Sequence, residues 1–141
     1  MQTATTVVQW IVRLTGMTQV ALGLLFWTDR ALTLVPVHMA IGLTFVLAVW
    51  TLAGLAARMR VRAGLVVVTV LWGGLVLALG ITQGRLLPGP AHWIVEVLHV
   101  LVGVAAMALA ARLAAQIRRK RPSDTPPLEA PPRPAGQLAA D

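Results

Sequence analysis

Two short phrases in this chain place an imidazole one helical turn before a glycine: His38-Met-Ala-Ile-Gly42 and His99-Val-Leu-Val-Gly103. Both fall inside long apolar segments. An ionisable side chain is costly at membrane depth, so a histidine there marks a functional site with a facing partner. The partner expected for each histidine is the other. Two facing imidazoles can ligate the iron of a flat macrocycle from both sides, and haem is the leading candidate. Gly42 and Gly103 share a helical face with their histidines, and only glycine lets a porphyrin edge approach the backbone there. The competing role for both glycines is close helix packing, the role expected of Gly16, Gly23, Gly73 and Gly80.

Glu96 lies three positions before His99 and four after His92, which puts all three side chains along one helical stripe. Glu96 is expected to hydrogen-bond a histidine or to relay protons, and His92 to sit hydrated at the helix end. A non-haem metal ranks below haem because such centres want more carboxylates than these segments offer. Gln19 and Gln83 are expected to bond between helices or to lie at the interface.

The elements that must position these residues follow from composition. Apolar residues make up 57% of the 141 positions and charged residues 12%, and the mean hydropathy is +0.78. Such values indicate an integral membrane protein. Four spans are predicted at 9–27, 35–57, 63–83 and 91–115, each long enough to cross about 30 Å of hydrocarbon. A soluble bundle fails because a soluble helix needs a polar face, which Leu65 to Leu79 lacks. The fold class is therefore all-α, a polytopic four-helix membrane bundle over residues 1–121. Beyond it, residues 122–141 are rich in proline, as at Pro126, Pro127, Pro131 and Pro132, and are expected to form a disordered cytoplasmic tail. No basic region precedes the first apolar run and Arg13 interrupts it, so the first helix is read as retained. The sequence has no cysteine, which excludes disulfides and thiolate metal sites.

A formal charge of +7 raises the question of nucleic acid, but the positions of the charges answer it. Arg58, Arg60 and Arg62 fill the link between spans two and three, and Arg112, Arg118, Arg119, Lys120 and Arg121 cluster at or beyond the end of span four. Arg30 and Arg85 alone mark the opposite side. The bias places both termini and the middle link in the cytoplasm of a multi-pass cell-membrane protein, with anionic lipid as a partner. Arg13 is expected to snorkel to that interface. Trp10, Trp27 and Trp93 suit an aromatic belt, whereas Trp50 and Trp72 are deeper and expected to pack.

An internal repeat pairs the two histidines. Leu14, Gly16, Ala21, Leu22 and Gly23 match Leu71, Gly73, Ala78, Leu79 and Gly80. His38, Gly42, Leu52, Ala53 and Arg58 then match His99, Gly103, Leu113, Ala114 and Arg119. Each repeat is one helical hairpin, and the two hairpins run parallel about an axis along the membrane normal. His99 lies further from Pro90 than His38 from Pro36. Equal depth therefore requires span four to begin above the membrane, or span two to begin near Asp29 and kink at Pro36.

Glu96-Val-Leu-His99 with Gly103, together with Gln19-Val-Ala-Leu-Gly23 followed by His38, resembles the haem A synthase family and other four-helix membrane b-type cytochromes. The resemblance spans residues 9 to 115. It implies histidines of paired helices ligating haem on the outer side, a functional Glu-x-x-His element, and oxidation of haem O at a methyl group. Three departures accompany it: Val100 stands where the family commonly has arginine, the length is half that of eight-helix members, and the outer-loop cysteine pair is absent. A half-length chain implies one haem site, or one half of a homodimer.

Three functions follow in order. The first is a haem b membrane cytochrome with His38 and His99 as axial ligands and Glu96 beside them, exchanging electrons with a quinone or a respiratory-chain partner at the outer face. The second is a haem A synthase-like oxidoreductase handling haem O or haem A. The third is a cofactor-free membrane subunit or assembly factor whose histidines bond across helices.

Overall fold

An apolar chain in hydrocarbon must satisfy its own backbone, and helices do so within one segment. The computed structural model of the protein describes residues 2–28 and 30–120. They form four α-helices, α1 (Gln2–Trp27), α2 (Val35–Arg58), α3 (Ala63–Thr82) and α4 (His92–Arg119), with single 3₁₀ turns at Leu32–Leu34 and Gln83–Arg85. There is no strand among the described residues. All four helices are long and apolar enough to span a membrane. Threonine hydroxyls inside them bond back to carbonyls of their own helix, as Thr69 does to Leu65 (2.8 Å) and Thr82 to Ala78 (2.7 Å). No hydroxyl of this kind needs a partner from another helix.

Two helices outrun their apolar stretches. α1 begins at Gln2, ahead of the span expected from 9, and α4 continues to Arg119, past 115. The extra turns mix threonine, glutamine and arginine with small or apolar residues, which weakens their apolar signal. They are fixed instead by contacts between the helix ends: Arg118 donates to the Gln9 side chain (2.7 Å), and Lys120 donates to the backbone carbonyl of Arg60. This basic end thus joins the first turns of α1, the α2–α3 link and the end of α4. The link itself turns through Arg60 at φ 50°, with Val61 N–H bonding to Ala56 O (3.0 Å) and Arg60 N–H to Ala57 O (2.9 Å). Those bonds form a Schellman motif, and buried Val61 supplies its apolar contact. The Pro-rich tail expected at 122–141 lies outside the described residues.

Neighbouring helices pack around the bundle in chain order, α1 closes against α4, and α2 also meets α4 across the diagonal. Small residues allow that diagonal contact. In α2, Ala48, Ala53 and Ala56 are buried; in α4, Ala106, Ala110 and Ala114 are. Lipid tails are as apolar as leucine, so such close backbone approach gains van der Waals contact where burial alone would gain little. The repeat is visible in this core. Leu52 and Leu113 are both 0% exposed, and Ala53 and Ala114 are 1% and 0% exposed.

Tryptophans break the repeat on one side. Trp50 donates its indole N–H to Val70 O (3.0 Å) and Trp72 donates to Val102 O (2.9 Å), so both pack between helices as expected. Gly73 admits the Trp50 ring, since a Cβ there would stand 2.6 Å from its Nε1. The repeat counterparts of Trp72 and Trp50 are Thr15 and Ala111, which fill far less space. Consequently the α3 side of the α2–α4 diagonal is occupied by indole rings.

Candidate functional site

Toward the end of the bundle opposite the basic cluster, the small residues of the diagonal give out and a cleft opens. Its non-atom space is about 810 Å³, open space at the mouth included. Two faces dominate it. α1 contributes Gly16, Val20, Gly23 and Trp27, spaced at four, three and four residues, and α4 contributes Glu96, Val100, Gly103 and Met107, spaced in the same rhythm. His38 and Phe45 come from α2, Val76 and Gln83 from α3 and the turn that follows it, and His99 joins from α4.

Both candidate ligands therefore line one cleft, from helices that touch across the diagonal. Their depths agree. Arg58 and Arg119, the last residues of α2 and α4, each lie 20 positions beyond the histidine, or about 30 Å at helical rise. The apparent mismatch in depth arises at the other end: α2 starts three residues before His38 and α4 seven before His99, so α4 projects one further turn. α2 begins at Val35 after its 3₁₀ turn, with Pro36 in the first helical turn where proline is accepted.

The polar atoms of the cleft carry the chemistry. Among the described residues, three buried side-chain polar atoms lack a hydrogen-bond partner: Gln19 Oε1, His38 Nδ1 and His99 Nδ1. All three residues line this cleft. Nε2 of neither ring is among these enclosed atoms. Phe26 holds the His38 ring edge-to-face with centroids 5.3 Å apart, and His99 Cε1 rests 3.5 Å from where a Cβ on Gly80 would stand. Each imidazole thus has a packing neighbour on another helix.

The glycines divide. Gly103 lines the cleft, and a Cβ there would meet nothing within 4 Å, the open approach expected of it. Gly42 is not among the lining residues. The Gln19 amide covers it, with Nε2 2.6 Å from the Cβ position, so the space expected for a porphyrin edge admits a side chain of α1 instead. Val76 is the repeat counterpart of Gln19, and its short side chain explains why Gly103 is uncovered. Gly16 packs as expected, 2.6 Å from Met107 Sδ by the same measure, whereas Gly23 is open and lines the cleft.

Glu96 sits at the mouth, and its histidine neighbour is His92, whose Nε2 is 4.0 Å from Oε1. It does not bond the His99 ring. Nδ1 of His92 is 3.1 Å from Leu86 O, which ties the start of α4 to the loop before it. Sequence reasoning missed the site's partners on α1, chiefly Phe26 and the role of Gln19. The place where the repeat exchanges glutamine for valine was the available signal.

Among the described residues no group of three or more His, Cys, Asp or Glu side chains converges on a metal position. A bare ion would find two imidazoles and little else. A macrocycle that brings its own equatorial nitrogens needs only two axial donors, and this donor set fits that requirement. In comparisons with known proteins, the sequence matches no family model, no curated protein and no solved structure.

Proposed function

We propose that the cleft binds one b-type haem through His38 and His99 and that the protein is a membrane cytochrome transferring electrons. The observation that carries this reading is that two imidazoles from facing helices, each 20 residues before the end of its helix, line one cleft of largely apolar walls. Bound there, haem supplies a one-electron redox centre. The chain's residues supply the rest. Phe26 and Gly80 fix the planes of the two rings, Gly23 and Gly103 admit a flat ligand between α1 and α4, and Val20, Val76 and Val100 keep water from its faces. Two histidine ligands leave the iron no open position, which suits electron transfer better than oxygen activation. That ranks oxidation of haem O below it.

Orientation follows from charge. The basic end faces the cytoplasm of the cell membrane, and the histidine end faces outward toward a quinone or a respiratory-chain partner. Reduced protein purified from haem-replete cells in detergent is expected to show sharp α and Soret bands, with about one extractable haem b per chain. A colourless preparation overturns the proposal, and high-spin bands with extracted haem O or haem A would replace it with the enzymatic one.

Glu96 is the titratable side chain of the cleft mouth nearest to His92. Glu96→Gln is expected to leave haem content intact and to shift the midpoint potential, measured by redox titration at one fixed pH. An unchanged potential would remove Glu96 from the surroundings of the cofactor.

A further inference from the structure

We propose that Gln19 is a positioning residue for His38: its carboxamide oxygen accepts the His38 Nδ1–H across one water and so keeps Nε2 free to ligate. The inference deepens the haem reading and rests on it for its purpose, though not for its first test. A ligating imidazole donates its other ring N–H to an acceptor, which fixes the tautomer. The cleft encloses two such donors, the Nδ1 atoms of His38 and His99, and one acceptor without a partner, Gln19 Oε1. An unpaired amide in an apolar interior is costly, so donor and acceptor have the same reason to meet. A buried water, which wants two to four polar neighbours, joins them.

The choice of His38 over His99 comes from the placement of the amide. Gln19 reaches from α1 to lie over Gly42, with Nε2 2.6 Å from the Cβ position. Gly42 is one turn beyond His38 on the same face of α2. On the same face of α1, two turns from Gln19, Phe26 touches the His38 ring. Gln19 and Phe26 therefore support one ligand from one helix. Gly42 is the condition for this arrangement, because a methyl group there would push the carboxamide away. The repeat counterpart of Gln19 is Val76, which has no polar atom to offer His99.

The first test uses cofactor-free full-length protein in nanodiscs, with ¹⁵N-labelled histidine and a pH at which imidazole is neutral. His38 is expected to favour the Nδ1–H tautomer by about tenfold, the effect of one net hydrogen bond. Gln19→Leu should abolish the preference, and Gly42→Ala should do the same by displacing the amide, which also decides the matter if Gln19→Leu does not fold. Gly54→Ala, whose Cβ meets nothing and which lies outside the cleft, should leave it unchanged. In haem-loaded protein, Gln19→Leu should raise the midpoint potential and Gln19→Glu lower it, at unchanged haem content. A His38 tautomer indifferent to both Gln19→Leu and Gly42→Ala overturns the inference. If the tautomer responds and no haem binds, Gln19 keeps its role and the cofactor reading fails. If haem binds with two-histidine bands and neither tautomer nor potential responds, the reverse holds.

Discussion

Alanine at His38 or at His99 is expected to abolish haem binding, and at His99 to leave the bundle as stable as before. Losing a partner that merely orients a metal ligand costs roughly 10- to 100-fold in affinity, and losing the ligand itself costs more. Each single variant should therefore purify without the Soret band, and the double variant should look the same as either, since both ligands serve one iron. Stability runs the other way. His99 keeps a buried Nδ1 without a partner, so its removal deletes an uncompensated polar group from the apolar interior, whereas His38→Ala would strand the Gln19 carboxamide proposed to pair with it. Protein data put that cost at about 1–3 kcal/mol, against which the loss of ring packing on Gly80 is offset. Cofactor-free His99→Ala should thus unfold in detergent at or above the temperature of the cofactor-free parent, and His38→Ala below it. Circular dichroism melting and the haem-to-protein ratio check the two halves separately. A clear fall in melting temperature for His99→Ala without any haem in the parent would identify that histidine as structural.

The architecture was legible because hydropathy and charge report on it directly. Four apolar runs became four helices, and the clusters at Arg58 to Arg62 and Arg118 to Lys120 came together at one end. The internal repeat was legible too: Leu52 with Leu113 and Ala53 with Ala114 are equivalent in burial as well as in sequence. The terminal turns were not, because Thr3, Thr5, Thr6 and Gln9 in α1 and Gln116, Arg118 and Arg119 in α4 dilute the apolar signal, while the Arg118–Gln9 hydrogen bond joins the two helix ends.

At the site, spacing gave the helical face of His38 and His99 but could not say what faces them. A period of 3.6 residues fixes directions within a helix and leaves the rotation of its neighbour open. Gly42 and Gly103 look alike in sequence for that reason, and α1 distinguishes them by setting Gln19 against one and α3 by setting Val76 near the other. Glu96 illustrates the same limit. Its spacing allows either His92 or His99, and it lies beside His92 because α4 begins one turn further out than α2.

Gly103→Phe should expel the cofactor without unfolding the protein, and it is the sharpest test of where the ligand lies. A Cβ at Gly103 meets nothing within 4 Å, so a larger side chain there enters the cleft and does not strike a helix. Replacing a glycine inside a helix also relieves a backbone entropy cost of roughly 0.5–1 kcal/mol, which helps the variant fold. The benzyl group would project along the face shared by His99, Val100 and Met107, where a flat ligand ligated by His99 must pass. Haem content should fall at least tenfold at an unchanged melting temperature of the cofactor-free form. Gly16→Phe and Gly73→Phe should behave in the opposite manner, because their Cβ positions stand 2.6 Å from Met107 Sδ and Trp50 Nε1, and overpacking there costs about 1–3 kcal/mol. If Gly103→Phe binds haem as fully as the parent, the macrocycle does not occupy the space between α1 and α4. Ligation by His38 and His99 would then require a different cavity.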